Sequence, residues 1–471
     1  MPKKTKIVAT ISNLNSSPDF IGTLYKAGMN VVRLNTAHMT HDDARQVIEN
    51  TRLVSDKIGI LLDTKGPEIR TCDSDKFLTV KYGDTIKIKG APGEKSNGKV
   101  ICVSYKDFVK DVPVGSSILV DDGYVALAVT EKNDDYLTCH VENDGVISAR
   151  KSINIPSVHV TLPALSEKDK GFIEFAADND LDFIAHSFVR NKNDVNAVQK
   201  ILNKKKSSIK IIAKIENSQG VENIDEILDH AYGIMIARGD LAVEIPTEQI
   251  PLIQKQIVRT CIEKRKPVIV ATQMLHSMIE SPRPTRAEVS DVANACLDHA
   301  DALMLSGETA NGKYPEVAVR TMTKIAMEVE RKKSSFINVP YTYENKITAY
   351  LSKAAVKASL RLKTKAIVAD SLTGKTILSL AAYRGDNPIY AQVYDKRVMR
   401  QLSLSFGVFA EHISLNITST KSLNQSICRL LEDKCFEEED LIIVLAGNFD
   451  PKQGATYIEI STADNFKKRC M

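Results

Sequence analysis

The amino-acid sequence predicts an α/β protein built around a closed (β/α)8 TIM barrel, with a small β-barrel lid domain inserted into it and a parallel α/β domain after it. Three observations lead to this expectation. Eight short β-branched runs alternate with helical patterns, one interval between two runs is far too long for a loop, and strand–helix alternation resumes near the C-terminus. We therefore expect three domains.

The eight apolar runs favour a closed barrel. Near-continuous apolar strands are buried on both faces, and eight of them in strand–helix order fit a barrel better than an open sheet. Helix start signals separate the runs, because Ser17-Pro18 supplies a cap with an N1 proline and Ser166 opens the capping-box-like "SEKD". The runs span residues 6–12, 30–35, 59–65, 182–188, 210–217, 233–240, 267–274 and 301–308.

The long interval follows the third run and covers residues 71–157. Strand-like stretches alternate there with Gly, Asp and Asn turns, which is typical of a small all-β module. An insertion that leaves the carboxyl end of a barrel strand lies over the face where barrel active sites are found. We therefore expect this module to act as a lid.

The C-terminal part reads as a separate parallel α/β domain. A charged and turn-rich stretch, residues 328–345, predicts a linker before it. Four strand-like runs follow, at 366–370, 388–393, 407–413 and 441–447. The predicted domains are residues 1–70 with 158–335 for the barrel, 71–157 for the lid and 336–471 for the C-terminal domain.

Composition excludes several classes of protein. The 471 residues carry a net charge of +4 from 63 basic and 59 acidic side chains spread along the chain, unlike the clustered charge of nucleic-acid binders. The 8 cysteines form no CxxC pair, so neither a zinc site nor a disulfide framework is indicated. No leader pattern and no apolar run of the roughly 18 residues needed to cross a bilayer is present. We expect a cytoplasmic protein that binds neither nucleic acid nor membrane.

Polar side chains gather where the predicted strands end. "KIIAKIEN" (210–217) sets Lys214 and Glu216 two positions apart, so both side chains face the same way at the mouth of the barrel. Unpaired charges there would be costly to bury, so a shared polar ligand is indicated. The other polar strand ends are Arg33, Asn35, Asp63, Thr64, Lys65, Arg238, Asp240, Thr272, Gln273, Ser306 and Glu308.

This set of residues suits phosphoryl transfer. Carboxylates of Glu216 and Asp240, without His or Cys beside them, are typical ligands of Mg²⁺. Fixed cations at Arg33, Arg70 and Lys214 would face an anionic ligand. The sequence has no P-loop motif and no protein-kinase glycine motif, so a nucleotide must be held in another way.

Less specific interpretations stay open. Lys214 and Glu216 could form a purely structural ion pair across the barrel mouth. His38 and His41, in "HMTH", could be a metal pair, although loop or surface histidines fit better because no carboxylate or cysteine at ligand spacing joins them.

Several strings resemble those of the pyruvate kinase family, in order and spacing, from one end of the barrel to the other. The inserted and C-terminal domains resemble the family only in layout and short fragments. The strings are "TKIVATI", "GMNVVRLN", "LLDTKGPEIRT", "LPALSEKD", "IIAKIEN", "GIMIARGDLAVEIP", "ATQMLHSM" and "PTRAEVSDVANACLDHADALMLSGETANGKYP".

The resemblance implies transfer of the phosphoryl group of phosphoenolpyruvate to ADP, giving pyruvate and ATP, with Mg²⁺ and K⁺ as cofactors. Lys214 matches the lysine on the transferring phosphoryl group and enolate oxygen, and Arg33 the arginine on the substrate phosphate. Glu216 and Asp240 match the Mg²⁺ ligands. The remaining matches are Gly239, Asp240 and Thr272 around the substrate carboxylate and enolate carbon, Ser306 and Glu308 in the proton-delivery network, and Arg70, Lys151 and His38 at the nucleotide phosphates.

The monovalent-ion site departs from the family pattern. Asn35, Asp63 and Thr64 match three K⁺ ligands, but the serine of the family string "NFSHG" is Ala37 in "NTAHM". Glu68 resembles the glutamate of K⁺-requiring members. The resemblance therefore implies activation by K⁺, held more weakly or through water at Ala37.

The C-terminal domain carries a string similar to the family's effector loop. In "SLTGKTI", Thr373, Gly374, Lys375 and Thr376 would open a helix whose N-terminus suits a phosphate. A sugar-phosphate activator is one expectation, and an ordinary glycine-containing turn is the alternative. A homotetramer is implied by analogy.

Two rival functions stay open. A Mg²⁺-dependent barrel of the keto-acid lyase type would handle a pyruvate enolate without needing the lid or Lys151. A non-catalytic descendant that only binds metabolites is the second, and the charged groups required for chemistry argue against it.

Overall fold

The computed structural model describes residues 2–74, 77–331, 336–340, 345–414, 419–447 and 454–469. Eight parallel strands close into a barrel in which each strand pairs with its neighbours along the chain and the last pairs with the first. The predicted barrel is confirmed, and each strand lies within a predicted run. The strands are Lys6–Thr10, Val31–Asn35, Gly59–Asp63, Phe183–His186, Lys210–Ile215, Gly233–Ala237, Val268–Ala271 and Ala302–Leu305.

Helices surround the barrel and start where their capping residues predict. The Ser17 hydroxyl accepts a hydrogen bond from the Phe20 N–H, with Pro18 at N1, and Ser166 forms a reciprocal capping box with Asp169. The helices are Pro18–Ala27, His41–Val54, Glu167–Asp178, Lys192–Lys204, Ser218–Glu222, Ile224–His230, Arg238–Glu244, Ile250–Glu263, Arg286–Leu297, Gly307–Ala310 and Pro315–Arg331, with 3-10 turns at Thr247–Gln249 and His276–Ile279.

The inserted segment forms a β domain with its own apolar core. A seven-stranded sheet closes on itself because Thr71, next to the first strand of the sheet, pairs with Val103 in the last. The expected small β-barrel is therefore present, with one helical turn, Phe108–Asp111. Its strands are Ile69–Arg70, Thr85–Gly90, Val100–Val103, Ser117–Val120, Val125–Lys132, Leu137–Val141 and Ser152–Asn154, and Leu78–Val80 pairs separately with Gly145–Ile147.

The C-terminal domain is a five-stranded sheet with helices packed on it. Its four predicted strands are parallel, but a fifth, Tyr457–Thr462, pairs antiparallel at the edge and was not predicted. Its letters, "YIEIST", alternate polar and apolar residues and follow no helical pattern, so the βα signal did not include it. The other strands are Ala366–Ser371, Ile389–Val393, Val408–His412 and Leu441–Ala446, and the helices are Lys346–Leu362, Lys375–Ala382, Lys396–Gln401, Ser419–Glu432 and Ala463–Lys467, with a 3-10 turn at Leu402–Leu404.

The predicted linker is only partly covered by the structure. Its first residues belong to the end of helix Pro315–Arg331, and 332–335 and 341–344 lie outside the described residues. The proposed domain boundaries stay a prediction. Within the described ranges, none of the helices has both the length and the apolar character to span a membrane.

Buried ion pairs join the amino-terminal end of the barrel to the C-terminal domain. Arg384 donates to Asp301 at 2.6 Å, and both side chains are almost fully buried. Arg400 donates to Asp182 at 2.5 Å, and Asp182 also accepts from Arg52 at 2.9 Å. Because removing one partner from such a pair leaves a buried charge, these contacts fix the C-terminal domain on the barrel.

Candidate active site

Lys214 is the centre of the charged cluster at the carboxyl end of the barrel. Its Nζ lies 2.9 Å from Glu216 Oε1 and 3.1 Å from Asp63 Oδ1. It also donates to Ser187 Oγ at 2.7 Å. The side chain is only 11% exposed. The structure thus turns Lys214 and Glu216 toward the same face, as strand alternation requires.

Strand register brings the other partners to this lysine. Asn35 and Asp63 are paired in the parallel ladder of the second and third strands. Asp63 accepts from Arg33 Nε at 2.7 Å, and Arg33 also donates to the Thr10 hydroxyl at 3.0 Å. Asp63 therefore lies between two cations, Arg33 and Lys214, and fixes both of them.

The electrostatics of this cluster keep the lysine charged. Burial acts to lower the pKa of Lys214, but the carboxylates of Asp63 and Glu216 outweigh it, so the pKa is raised. Burial acts to raise the pKa of Asp63, but the positive charges of Lys214 and Arg33 outweigh it, so this pKa is lowered. An ammonium and an ionised carboxylate are thus both retained in a buried site.

Glu216 and Asp240 are a second pair of carboxyl groups, and both lie at the wall of one cavity of about 510 Å³. Burial raises the pKa of Glu216 to about 7 against the opposing effect of Lys214, and the charge of Asp240 adds to the rise. Burial also raises the pKa of Asp240, with the carboxylates of Asp122 and Glu68 adding to the effect. This crowding of negative charge would be relieved by a bound cation.

Thr272 follows the seventh barrel strand in a strained backbone conformation, with φ of 69°. A β-branched residue rarely adopts this geometry, which is found mainly at functional sites. Its hydroxyl accepts from the Gly239 N–H at 2.8 Å. Gly239 and Asp240 lie in the first turn of helix Arg238–Glu244, so Arg238 and Asp240 belong to a helix rather than to the end of the sixth strand.

Ser306 and Glu308 form a separate polar pair after the eighth strand. The Ser306 N–H donates to Glu308 Oε2 at 2.8 Å, and Leu275 N–H donates to the other carboxylate oxygen at 3.2 Å. Glu308 is buried, whereas Ser306 is half-buried. The carboxylate therefore orders the backbone from which the Ser306 hydroxyl projects.

The lid supplies the other wall of the cavity. Arg70 and Lys151 line it, and each is paired with an acid: Arg70 with Glu68 at 2.6 Å and Lys151 with Asp121 at 2.8 Å. His38, by contrast, lies exposed on the loop after the second strand and does not line this cavity.

The carboxylates fit a magnesium ion. Among the residues the structure describes, no three His, Cys, Asp or Glu side chains form a metal cage. Two carboxylates at a polar cavity are nevertheless what Mg²⁺ commonly takes from a protein, since substrate oxygens and water complete its octahedron. Glu216 and Asp240 would hold it.

The three residues matched to K⁺ also lie together. Asn35 and Asp63 are neighbours in the ladder, and Thr64 directly follows Asp63. The Thr64 carbonyl accepts from Ser187 Oγ at 2.6 Å, and the Ala37 N–H donates to Asn35 Oδ1 at 3.2 Å. Oxygen donors of this kind suit a hard cation, and Ala37 adds no side-chain oxygen.

The four residues of the predicted effector loop lie at the start of helix Lys375–Ala382. Gly374 precedes the helix with φ of 80°, a conformation that favours glycine, and its N–H donates to Ser371 Oγ at 3.0 Å. Thr373 and Lys375 are exposed, whereas Thr376 is buried.

Two features of the site were missed from the sequence. Ser187 contacts Lys214, and it is the last residue but one of the predicted run 182–188, so strand alternation could have identified it. Asp121 and Asp122 bring acid from the lid to the cavity, both with positive φ. The pairing of a lid turn with the barrel mouth gives no local sequence signal. His41, the other histidine of "HMTH", packs on Phe172 and Phe175 instead.

The barrel, with buried cations and carboxylates around one cavity at the carboxyl ends of its strands, defines an enzyme that acts on an anionic substrate. A family model described as "Pyruvate kinase, barrel domain" matches residues 2–319, and "Pyruvate kinase, alpha/beta domain" matches residues 350–458. The chain belongs to the pyruvate kinase family and is a phosphotransferase.

Known relatives agree over nearly the whole chain. It is 46% identical over 469 residues to a pyruvate kinase of Borreliella burgdorferi, covering 98% of each chain. It is 42% identical to a pyruvate kinase of Geobacillus stearothermophilus, over 95% of this chain and 78% of that one. A crystal structure of a pyruvate kinase from Cryptosporidium parvum matches with a TM-score of 0.92 at 36% identity, covering 98% of this chain and 96% of that chain.

The raised pKa of Glu216 predicts a pH-dependent effect of removing its charge. A carboxyl whose folded-state pKa is raised to about 7 from 4.5 stabilises the fold at low pH, and this contribution is lost as pH rises between those values. In metal-free protein, the melting temperature of Glu216→Gln minus that of wild type should therefore grow from pH 4.5 to 7 and stay constant above.

Differential scanning fluorimetry across this pH range measures that difference. Glu222→Gln, a change at an exposed carboxylate in the following helix, is the control and should leave the melting temperature unchanged. If the melting temperature of Glu216→Gln minus that of wild type is the same at every pH, the raised pKa of Glu216 is contradicted.

Proposed function

We propose that the protein transfers the phosphoryl group of phosphoenolpyruvate to ADP, forming pyruvate and ATP, with Mg²⁺ and K⁺ as cofactors. The observation that carries the proposal is the convergence of Lys214, Asp63 and Glu216 within ion-pair distance at the barrel mouth, beside the cavity that Asp240 lines. A buried cation next to two clustered acids suits a reaction whose main demand is charge neutralisation.

In the proposed reaction, the bond between phosphorus and the enolate oxygen breaks as a bond from phosphorus to the ADP oxygen forms. Lys214 neutralises charge on the transferring group and on the enolate oxygen, and Arg33 holds the phosphate. The Gly239 N–H, which in the free protein donates to Thr272, turns to the substrate carboxylate. Arg70 and Lys151, which line the cavity, contact the nucleotide phosphates. The family resemblance adds His38, which lies outside the cavity in the free protein.

The enolate then gains a proton at its methylene carbon. Thr272 lies at the enolate face in this proposal, and Ser306 with Glu308 orders the water that delivers the proton. Mg²⁺, held by Glu216 and Asp240, supplies further neutralisation of phosphate charge when bound. K⁺ belongs at Asn35, Asp63 and Thr64.

Replacing the central lysine tests the proposed chemistry. Lys214→Met keeps the aliphatic stem and removes the ammonium, so kcat for pyruvate formation should fall at least about a hundred-fold, as expected for losing one major transition-state contact. A lactate dehydrogenase-coupled assay, run with and without ADP, measures this loss and also separates the kinase from an ADP-independent lyase.

Lys210→Met is the matched control, because Lys210 occupies the same strand at the opposite end of the barrel. It should retain wild-type kcat. Pyruvate formation that needs no ADP, or full activity in Lys214→Met, would contradict the proposal.

Potassium dependence is tested at the position that lacks a ligand oxygen. Activity should be low in tetramethylammonium and rise with K⁺, and Ala37→Ser should lower the K⁺ concentration for half-maximal activity because it adds one hydroxyl oxygen. Steady-state rates over a K⁺ titration measure this. Equal rates in the two salts would overturn the K⁺ proposal.

A sugar-phosphate activator is proposed for the loop Thr373, Gly374, Lys375 and Thr376. N–H groups in the first turn of a helix attract phosphate, and two of these four side chains, Thr373 and Lys375, are exposed. Fructose 1,6-bisphosphate should shift the phosphoenolpyruvate saturation curve to lower concentration, Lys375→Glu should abolish the shift, and uncharged fructose should have no effect. A curve that none of the sugar phosphates moves would remove this proposal.

Assembly and location complete the proposal. We infer a homotetramer from the family and a reducing cytoplasm from the described cysteines, which form no disulfide. Cys470 lies outside the described residues.

A further inference from the structure

The lid barrel closes along a short seam. The chain leaving the barrel domain after strand Ile69–Arg70 runs antiparallel to strand Val100–Val103, and Thr71 pairs with Val103. The Ser104 N–H donates to the Arg70 carbonyl at 2.9 Å. A few contacts on either side of Thr71 therefore complete the lid barrel.

Two cysteines face each other in this seam. The Cys72 N–H donates to the Cys102 carbonyl at 2.8 Å, which makes them the cross-strand pair next to Thr71 and Val103. Residues directly opposite in such a ladder point to the same side, with Cα atoms about 5.5 Å apart, and a disulfide spans Cα separations of about 4.4–6.8 Å. The register therefore meets the main geometric requirement for a bond.

The two thiols also share surroundings. Cys72 Sγ donates to the Ala91 carbonyl at 3.5 Å, and Cys102 Sγ donates to the Lys95 carbonyl at 3.6 Å. These carbonyls lie at the start of one turn and directly after it, and the Glu94 N–H closes that turn by donating to the Ala91 carbonyl at 3.1 Å. Both sulfur atoms are thus directed toward the same turn.

Their accessibility differs in a way that suits a two-step reaction. Cys72 is the more accessible of the two, because it is half-buried whereas Cys102 is only 2% exposed. Burial raises the pKa of Cys102, and a negative charge on Cys72 raises it further. Cys72 would therefore react first and Cys102 second.

We propose that Cys72 and Cys102 are a redox modification site that forms a reversible disulfide across the seam of the lid. The Cys72 thiolate attacks a low-molecular-weight disulfide such as glutathione disulfide, and one thiolate of that oxidant leaves. The Cys102 thiolate then attacks Cys72 Sγ and displaces the second. The two protein thiols lose two electrons and two protons, and two small thiols are formed.

The seam strand also holds the lid segment that carries Lys151. The Thr71 N–H donates to the Lys151 carbonyl at 2.9 Å, and the Lys151 N–H donates to the Thr71 hydroxyl at 2.8 Å. A disulfide one residue away would restrict the strand between Arg70 and Cys72. Because Arg70 and Lys151 are the proposed nucleotide contacts, we expect the KM for ADP to rise several-fold on oxidation. This consequence rests on the proposed function, whereas bond formation does not.

The test uses the full-length protein incubated with glutathione disulfide, digested under non-reducing conditions and analysed by mass spectrometry. The expected result is a peptide pair linked through Cys72 and Cys102 that disappears with dithiothreitol. Cys72→Ser should give no linked pair, and Cys428→Ser, which changes a half-buried thiol in the C-terminal domain, should still give it.

The outcomes separate the two proposals. A lasting glutathione adduct on Cys72, or no oxidation at either residue while wild type stays folded, would overturn the disulfide. A linked peptide pair whose formation leaves the KM for ADP unchanged would support the disulfide and count against the nucleotide contacts. A rise in that KM that also occurs in Cys72→Ser would show that the seam is not responsible.

Discussion

The site depends on one buried ammonium. Lys214 is held by two carboxylates and a serine hydroxyl at the end of a barrel strand, and it is almost inaccessible to water. Removing a charge from water is costly, and the lysine is compensated by Glu216 after its own strand and by Asp63 and Ser187 at the ends of two other strands. Arg33 shares Asp63 with it, which extends the arrangement to the second strand. The barrel thus fixes two cations and their counter-charges before any ligand binds.

The other two domains lie at opposite ends of the barrel that holds this cluster. The lid places Arg70, Lys151 and two aspartates over the cavity, and its barrel is closed by the short seam at Thr71 and Val103. At the opposite end of the barrel, the buried pairs of Arg384 with Asp301 and Arg400 with Asp182 fix the C-terminal domain. Asp182 also accepts from the Ile60 N–H at 2.8 Å, at the base of the strand that ends in Asp63. Packed polar contacts therefore connect the C-terminal domain to the barrel strand that ends in Asp63.

Much of the fold and of the site could be predicted from the sequence, because the sequence patterns that indicate them are local. Apolar runs in strand–helix order predicted all eight barrel strands, and alternation within "KIIAKIEN" put Lys214 beside Glu216. The edge strand Tyr457–Thr462 was missed because it adds antiparallel and no helix precedes it in the βα pattern. The pairing of Lys151 with Asp121 could not be foreseen, since it depends on how a lid turn folds back on a neighbouring strand. The positive φ of Thr272 could not be predicted either, because β-branched residues rarely adopt this conformation.

We expect Glu216 and Asp240 to bind one divalent cation beside the Lys214 ammonium. Anomalous diffraction from crystals of the protein soaked in Mn²⁺ with phosphoenolpyruvate tests it most directly. We expect a single strong anomalous peak within coordination distance of both carboxylates, next to the Lys214 ammonium. An anomalous peak at another place in the protein would contradict this expectation. So would side chains of Glu216 and Asp240 that point into separate pockets.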